Sequence, residues 1–270
     1  MHELSSIRRP NLVRSTKTGQ WIAELLPKVA YEAAYTASTP VIGFAFEAQS
    51  GMHAFASDRR TAFRAKPNHL SFVPRGCDVY SQSQQGGEYL RISLLRGDDG
   101  LARSEHRFSN IIDVAAIATA QALRRRLLAN RHHELLECER LVHLLMERAA
   151  RVIDGRHTTD RAATWMTPHR LKLILEIIEQ RLAERLTVGD LADGLGLSVA
   201  FFSRAFKGAL GKPPHDYIID RRVARARMLL AAGSADIAAV AQLCGFSSHA
   251  HMSAVFRTRL GVAPSSLRER

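Results

Sequence analysis

Cysteine is scarce in this sequence. Cys77, Cys138 and Cys244 lie far apart, and no two of them form a CxxC pair. A disulfide framework needs densely spaced cysteines, and a structural zinc site built on thiolates needs paired ones. The sequence therefore indicates neither kind of covalent or metal support.

Long apolar runs are also absent. No stretch approaches the roughly 18 apolar residues of a membrane-spanning helix, and Arg8-Arg9 is followed by Pro10-Asn11 instead of the apolar core of a signal peptide. Apolar residues make up 46% and charged residues 24% of the 270, which is typical of globular domains with a buried core. We expect a cytoplasmic protein of one or two domains that does not contact membranes.

Histidines with the spacing of metal ligands are lacking. His53 and His69 stand sixteen residues apart without an HxH motif or a partnered glutamate, and three converging ligands cannot be drawn from them. Cys77 lies beside Arg75, which could lower its pKa, but an ordinary loop cysteine is the preferred interpretation. We therefore predict no cofactor, no metal and no catalytic residues, and the chain is not expected to be an enzyme.

Positive charge is abundant and uneven. Lysine and arginine total 38 against 26 acidic residues, a net charge of +12. Eleven basic and four acidic residues lie between Gly194 and Arg270. This surplus favours a polyanionic partner, nucleic acid before membrane.

The first half of the chain has the pattern of short strands. Residues 1–18 are polar and basic and predict a mobile arm. Alternating runs at 41–46, 69–73 and 89–94 are separated by Pro and Gly turn signals, which predicts a β-sandwich or barrel within 19–153.

Two helices are predicted next, over 111–129 and 134–153, joined by a short polar link at 130–133. The second carries a wide apolar stripe. The stripe either covers the strand domain or also forms a homodimer interface through Leu135, Leu141 and Leu145. The polar, Gly-containing residues 154–167 predict an interdomain linker.

The remainder, 168–270, is helical in pattern and contains an internal repeat. The pattern of residues 187–214 recurs at 234–264. At an offset of 49, Ala192, Gly196 and Ser198 align with Ala241, Gly245 and Ser247. At an offset of 50, Phe206, Lys207, Leu210, Gly211 and Pro214 align with Phe256, Arg257, Leu260, Gly261 and Pro264. One inserted residue explains the change of offset. Eight aligned matches that include glycines and a proline indicate a duplicated unit.

Each copy predicts a helix-turn-helix. A short helix (187–195, then 235–244) ends at a glycine suited to the left-handed conformation, and Ser198 or Ser247 is placed to cap the next helix. Phe202 and Phe206, like Met252 and Phe256, face the first helix of their copy. The opposite face is short, polar and basic, as in a helix that enters the major groove; a plain helical bundle is the alternative.

Longer motifs extend this pattern: Leu191-Ala192 through Gly196-Leu197-Ser198, Phe202 to Lys207, Leu210 to Pro214, Arg222 to Leu230, Ile237 to Ser247, and Phe256-Arg257 with Gly261 and Pro264. Through them, residues 168–270 resemble the DNA-binding domain of the AraC/XylS family of transcription regulators. Residues 1–153, with Pro74-Arg75-Gly76 and Gly87 to Leu90, resemble the cupin-like effector domain that many family members place first. Ala254 departs from the family, which usually has a polar or basic side chain there.

The resemblance implies an α+β protein: a cupin-like β-barrel with a helical hairpin, then an all-α double helix-turn-helix domain. It implies double-stranded DNA at promoter operators as partner, read by two recognition helices roughly 34 Å apart, together with a small-molecule effector and RNA polymerase. The implied DNA-facing residues are Val199, Ala200, Ser203, Arg204, Lys207, Ser248, His249, Ala250, Ser253, Ala254 and Arg257.

The predicted function is therefore an effector-responsive, sequence-specific transcription regulator, most simply an activator. We expect the effector pocket inside the barrel, lined by Phe44, Phe46, Phe72 and Tyr89, since aromatic side chains commonly line such pockets; a plain aromatic core is the alternative. Two other functions stay open. One is a cupin-type enzyme fused to a DNA-targeting module, and the other is a regulator whose first half only assembles.

Overall fold

The chain forms two compact units, Met1–Thr158 and Thr159–Arg270. The computed structural model describes residues 13–96, 100–129, 135–157, 161–232 and 236–267. None of the helices in these ranges is long and apolar enough to cross a membrane. The link at 130–133 lies outside the described residues.

The first unit contains ten strands in the part of the chain that is described. They are β1 (Arg14–Lys17), β2 (Trp21–Leu26), β3 (Tyr31–Thr36), β4 (Val41–Ala45), β5 (Gln49–Phe55), β6 (Thr61–Ala65), β7 (His69–Val73), β8 (Asp78–Ser83), β9 (Tyr89–Leu94) and β10 (Phe108–Ile111). They form one sheet of order β1-β2-β9-β4-β7-β10 and a second of order β3-β8-β5-β6. The predicted strands at 41–46, 69–73 and 89–94 are confirmed as β4, β7 and β9.

Of the sequence-based expectations for this unit, one is confirmed only in part and one was wrong. No strand pairing among the described residues joins the two sheets, so they form a two-sheet arrangement, as in the predicted sandwich, and the closed cupin-like barrel is not confirmed. Residues Arg14–Lys17, assigned to a mobile arm, form β1 and pair antiparallel with Ile22–Leu25 of β2. Edge pairing orders this segment despite its polar composition, which carries no hydrophobic period to reveal it.

The register of the larger sheet gives its two faces different roles. Gly43 lies opposite Ser71 and Arg91, and Ala45 lies opposite Tyr89. Because side chains alternate along a strand, these residues share one face, and Phe44 and its neighbours share the other. That second face is fully buried at Phe44, Leu70, Phe72, Leu90 and Ile92, on the strands that contact the helices.

Three helices follow or interrupt the strands: α1 (Gly100–Arg103), α2 (Val114–Ala129) and α3 (Leu135–Ile153). Asp113 begins α2, because its Oδ1 accepts from the Ala116 amide at 2.8 Å. The Nε of Arg148 in α3 donates to Oδ2 of the same carboxylate at 2.9 Å. A single buried carboxylate therefore holds both helices of the hairpin together.

The apolar stripe of α3 packs inside its own unit. Leu141 is 2% exposed and Leu145 is fully buried, and α3 contacts α2, β4 and β7. Their predicted role in a dimer interface was therefore wrong, and the alternative that the stripe covers the strand domain is what the structure shows. Leu135, at 41% exposed, lies at the accessible end of the helix.

The second unit consists of seven helices and a short 3-10 turn within its described residues. They are α4 (Arg161–Trp165), α5 (Pro168–Gln180), α6 (Val188–Asp193), α7 (Val199–Leu210), α8 (Pro214–Ala231), α9 (Ile237–Leu243) and α10 (His249–Leu260), with the turn at Pro264–Leu267. Thr167 caps α5 and Pro168 occupies its first turn, as predicted. The segment 154–167, expected to be a linker, contains α4, whose Trp165 ring packs edge-on against Phe201 at 5.5 Å.

Helix α8 connects the two repeat copies through ionic contacts. Asp220 of α8 pairs with Lys212, which follows α7. Asp220 also lies 3.7 Å from Arg259 of α10, and Asp216 accepts from that same arginine at 2.6 Å.

A second connection uses Arg222 of α8. Its guanidinium donates to the carbonyls of Leu182 and Glu184, at 3.0 and 2.7 Å. Gly245, at φ +76°, lies so near that a Cβ there would be 2.3 Å from the Leu182 oxygen. Glycine is required at this position by both the close approach and the left-handed backbone.

Candidate nucleic-acid interface

The first copy of the repeat is α6 and α7. Thr187 and Asp190 form a capping box at the start of α6, with the Asp190 amide donating to Thr187 Oγ1 at 3.1 Å and the Thr187 amide to Asp190 Oδ2 at 2.8 Å. These hydrogen bonds lower the pKa of Asp190. Ser198 then caps α7 by accepting from the Phe201 amide at 3.3 Å, which fixes the direction in which α7 leaves the turn.

Helix α7 is divided sharply into two faces. Phe202 and Phe206 are fully buried, with their ring centroids 5.6 Å apart. The predicted DNA-facing residues lie on the other side: Val199, Ala200, Arg204 and Lys207 are exposed and Ser203 is partly so. The Arg204 guanidinium lies 6.0 Å from the Phe201 ring centroid. The other predicted DNA-facing residues next to it, Ala200 and Ser203, have short side chains.

The second copy, α9 and α10, repeats this division. Met252 and Phe256 are fully buried, whereas Ser248, His249, Ala250, Ala254 and Arg257 are exposed and Ser253 is partly exposed. The imidazole Nε2 of His249 lies 3.2 Å from Ser253 Oγ. Two of the predicted residues are thus held together on the outer face.

The cap of α10 corrects one prediction. Ser248 caps α10, accepting from the His251 amide at 3.0 Å. The predicted cap, Ser247, instead contacts the His251 ring nitrogen Nδ1 at 2.9 Å. The residue inserted in the second copy therefore lies in the turn between Gly245 and the cap, and both recognition helices keep twelve residues.

The charges of the two helices differ in position. Neither α7 nor α10 contains an acidic residue, so nothing on them repels phosphate. Arg204 stands mid-helix in α7, whereas the arginines of α10, Arg257 and Arg259, come in its last turn. Arg259, which the sequence patterns did not single out, turns to the carboxylates of α8 and is not free for DNA.

A cavity of about 630 Å³ lies in the first unit, where both sheets contribute to its lining. Tyr89 lines it, as predicted, and its hydroxyl lies 3.0 Å from Ser71 Oγ. Phe44, Phe46 and Phe72 were predicted to line it as well, and this was wrong. Phe44 and Phe72 occupy the opposite face of the sheet, and Phe46 packs on Phe44 at 5.1 Å and under the Arg124 guanidinium.

The possible metal ligands and the three cysteines of the chain do not form a reactive site within the described residues. Across the described residues, no three His, Cys, Asp or Glu side chains are grouped to hold a metal ion. Burial raises the pKa of the Cys77 thiol above its usual value, and the charge of nearby Arg107 opposes this shift. Cys138 and Cys244 are buried.

Two linked copies of this kind define the second unit as a double helix-turn-helix domain. Residues 191–270 match a family described as "Helix-turn-helix domain". The protein named "Probable transcriptional regulator LumQ" of Photobacterium leiognathi is 36% identical over 98 residues, 36% of this chain and 40% of that protein. The "HTH-type transcriptional activator RhaS" of Escherichia coli is 32% identical over 100 residues, 37% of this chain and 36% of that protein.

A solved structure titled as a transcriptional regulator with AraC-type DNA-binding domains, from Chromobacterium violaceum, is 33% identical. It covers 37% of this chain and 88% of its own, with a TM-score of 0.35. Residues 191–270 thus match a helix-turn-helix domain family, and the second unit is similar to these transcription regulators. The chain spans only about two fifths of the length of the curated relatives it matches.

Proposed function

We propose that this protein is a sequence-specific DNA-binding transcription regulator. The observation that carries the proposal is the pair of exposed, acid-free faces on α7 and α10, mounted on one connecting helix. Helices of this kind place short and basic side chains against base edges and phosphates in the major groove. Double-stranded DNA at promoter operators is the proposed partner.

Regulation by a small molecule is the second part of the proposal. The 630 Å³ cavity supports it, because its volume lies within the range of about 300–1,000 Å³ of ligand sites. We further propose an activator that works with RNA polymerase in the cytoplasm. The similarity to RhaS, which is named as a transcriptional activator, supports this direction. The names of the relatives likewise support a regulator without enzymatic activity.

We also propose a homodimer, but through different residues of α3 from those predicted from the sequence. Leu136, at the start of α3, is 82% exposed, and Leu135 beside it is 41% exposed. These two leucines, not Leu141 and Leu145, are the accessible apolar positions of α3 for a second copy. Sedimentation of the full chain at micromolar concentration measures the assembly directly.

The DNA-binding proposal is tested with the full chain and an operator selected from random duplexes. Each phosphate neutralised contributes close to one unit of slope in a plot of log affinity against log salt. We expect a steep loss of affinity between about 50 and 200 mM salt. The double variant Arg204→Ala/Arg257→Ala should bind weakly with a shallower slope.

Arg75→Ala is the matched control, because Arg75 is an exposed arginine in the other unit. It should leave both the affinity and the salt slope unchanged. Affinity that does not respond to salt, or an equal effect of the control and the double variant, would contradict the proposal.

A further inference from the structure

Four charged side chains line the cavity: Glu24, Glu32, Arg91 and Arg107. The Glu32 carboxylate accepts a hydrogen bond from the Tyr80 hydroxyl at 2.9 Å. Arg91 donates to Glu24 Oε2 twice, from Nε at 2.9 Å and from Nη2 at 2.7 Å. These two lining residues form a closed ion pair, and their charges cancel locally. The pair therefore gives no preference for a charged ligand.

Arg107, just before β10, is a different case. It lines the same cavity, and its guanidinium carbon lies 4.1 Å from the centroid of the Phe55 ring. No carboxylate of the described residues lies within ion-pair distance of it. Among the described lining residues, Arg107 is therefore a guanidinium without a paired carboxylate; it is exposed and lies over the Phe55 ring.

Burial lowers the pKa of both histidines that line the cavity. Burial lowers the pKa of His69 to about 4. Its Nδ1 contacts the Lys66 carbonyl, so Nδ1 carries the proton and Nε2 is left as an acceptor. The ring of His53 stacks on Phe63 at 5.0 Å, and burial together with Arg107 lowers the pKa of His53.

We propose that this cavity binds a small organic monocarboxylate with an apolar body. The carboxylate pairs with Arg107, and the apolar body lies against the aromatic side chains Phe55 and Phe63. This inference rests on the proposed effector function and names the chemical class of the effector. Arg91 is paired with Glu24, so Arg107 is the proposed cationic partner of the carboxylate.

The two tyrosines that line the cavity with hydrogen-bonded hydroxyls fit this assignment. Tyr31 and Tyr89 are already hydrogen-bonded to Ser81 and Ser71, at 3.1 and 3.0 Å, so they offer ring surface more than free hydroxyls. A polyhydroxylated ligand needs many unpaired donors and acceptors. A monocarboxylate needs one strong partner, which Arg107 supplies as a charge-assisted, bidentate donor.

The test compares acids with their neutral amides on the full chain. The probes are phenylacetate with phenylacetamide, hexanoate with hexanamide, and D-glucose as a neutral polyol. Calorimetric titration and thermal unfolding report binding, since a ligand that binds the folded state raises Tm. We expect at least one acid to bind and its amide to bind about 10- to 100-fold more weakly.

Arg107→Gln should reduce acid affinity by a similar factor and leave the amide unaffected. Arg75→Gln is the matched control and should bind like the parent. A second readout is the titration of the His53 ring by NMR. A bound carboxylate opposes the field of Arg107 and should raise the pKa of His53, whereas an amide should not.

Each contrary result overturns the inference. Equal binding of acid and amide, binding of D-glucose alone, or an Arg107→Gln variant that binds acids normally would each exclude a carboxylate partner for Arg107. No binding by any probe would do the same. Operator affinity measured on the same samples separates these outcomes from a failure of the proposed function, which would appear as absent DNA binding.

Discussion

The two helix-turn-helix copies share their interior and differ on their surface. In both, a left-handed glycine (Gly196 at φ +65°, Gly245 at φ +76°) precedes a serine cap. Phe206 and Phe256 are both fully buried. The outer faces diverge: α7 carries Arg204 in its middle, and α10 has Ala254 at the matching position. The two copies thus agree at positions that folding requires and differ at the proposed DNA-facing positions.

Removing the shared interior should have the largest effect. Phe206→Ala and Phe256→Ala each delete a buried ring and leave a cavity, which we expect to cost about 3–5 kcal/mol of unfolding free energy. Chemical denaturation of the full chain measures both. Val199→Ala, at a side chain 49% exposed, is the control and should change stability little. If one phenylalanine cost far less than the other, the two interiors would not be equivalent.

The two copies should contribute differently to recognition of the DNA sequence. Arg204 can form a bidentate contact with guanine, worth about 1–3 kcal/mol of discrimination. Arg204→Ala should relax sequence preference in one half of the operator, and Arg257→Ala, at the end of α10, should weaken all sequences alike. Competition with operators scrambled one half at a time measures this. Equal losses for the two halves would show that α10 reads bases as strongly as α7.

Removing the helix caps should have the smallest effect on stability, and it tests where the inserted residue of the second copy lies. Ser198→Ala and Ser248→Ala each remove an N-cap and should cost about 1 kcal/mol. Ser247→Ala is the neighbouring control, because Ser247 contacts the His251 ring instead of a helix amide. Thermal unfolding compares the three. A Ser247→Ala loss as large as that of Ser248→Ala would place the inserted residue elsewhere.

Local patterns in the sequence predicted most of the second unit. Glycine, serine, threonine and proline act through the backbone of their own turn. The Thr167 cap and the turn at Gly196 could therefore be predicted from the local sequence alone. The cap of α10 was misplaced by one residue because two adjacent serines, Ser247 and Ser248, offer the same chemistry. Only the geometry of the turn distinguishes them.

Long-range pairing limited what could be predicted in the first unit. The strands were visible, but the face on which Phe44 or Phe72 lies depends on which side of the sheet the helices cover. A shift of one residue exchanges the two faces. The same reason applies to Leu141 and Leu145, since an apolar stripe does not reveal what packs against it. Arg107 was missed because nothing in its sequence neighbourhood points to a cavity.

Contacts of the segment between α5 and α6 have a consequence for how this domain folds. The Arg222 guanidinium donates to the carbonyls of Leu182 and Glu184 in this segment. Gly245, in the turn of the second copy, packs closely against the same Leu182 carbonyl. Neither copy completes its backbone surroundings alone. The repeats are therefore not separable modules: we expect them to melt in a single cooperative transition, and a single copy transplanted into another scaffold would lack its support.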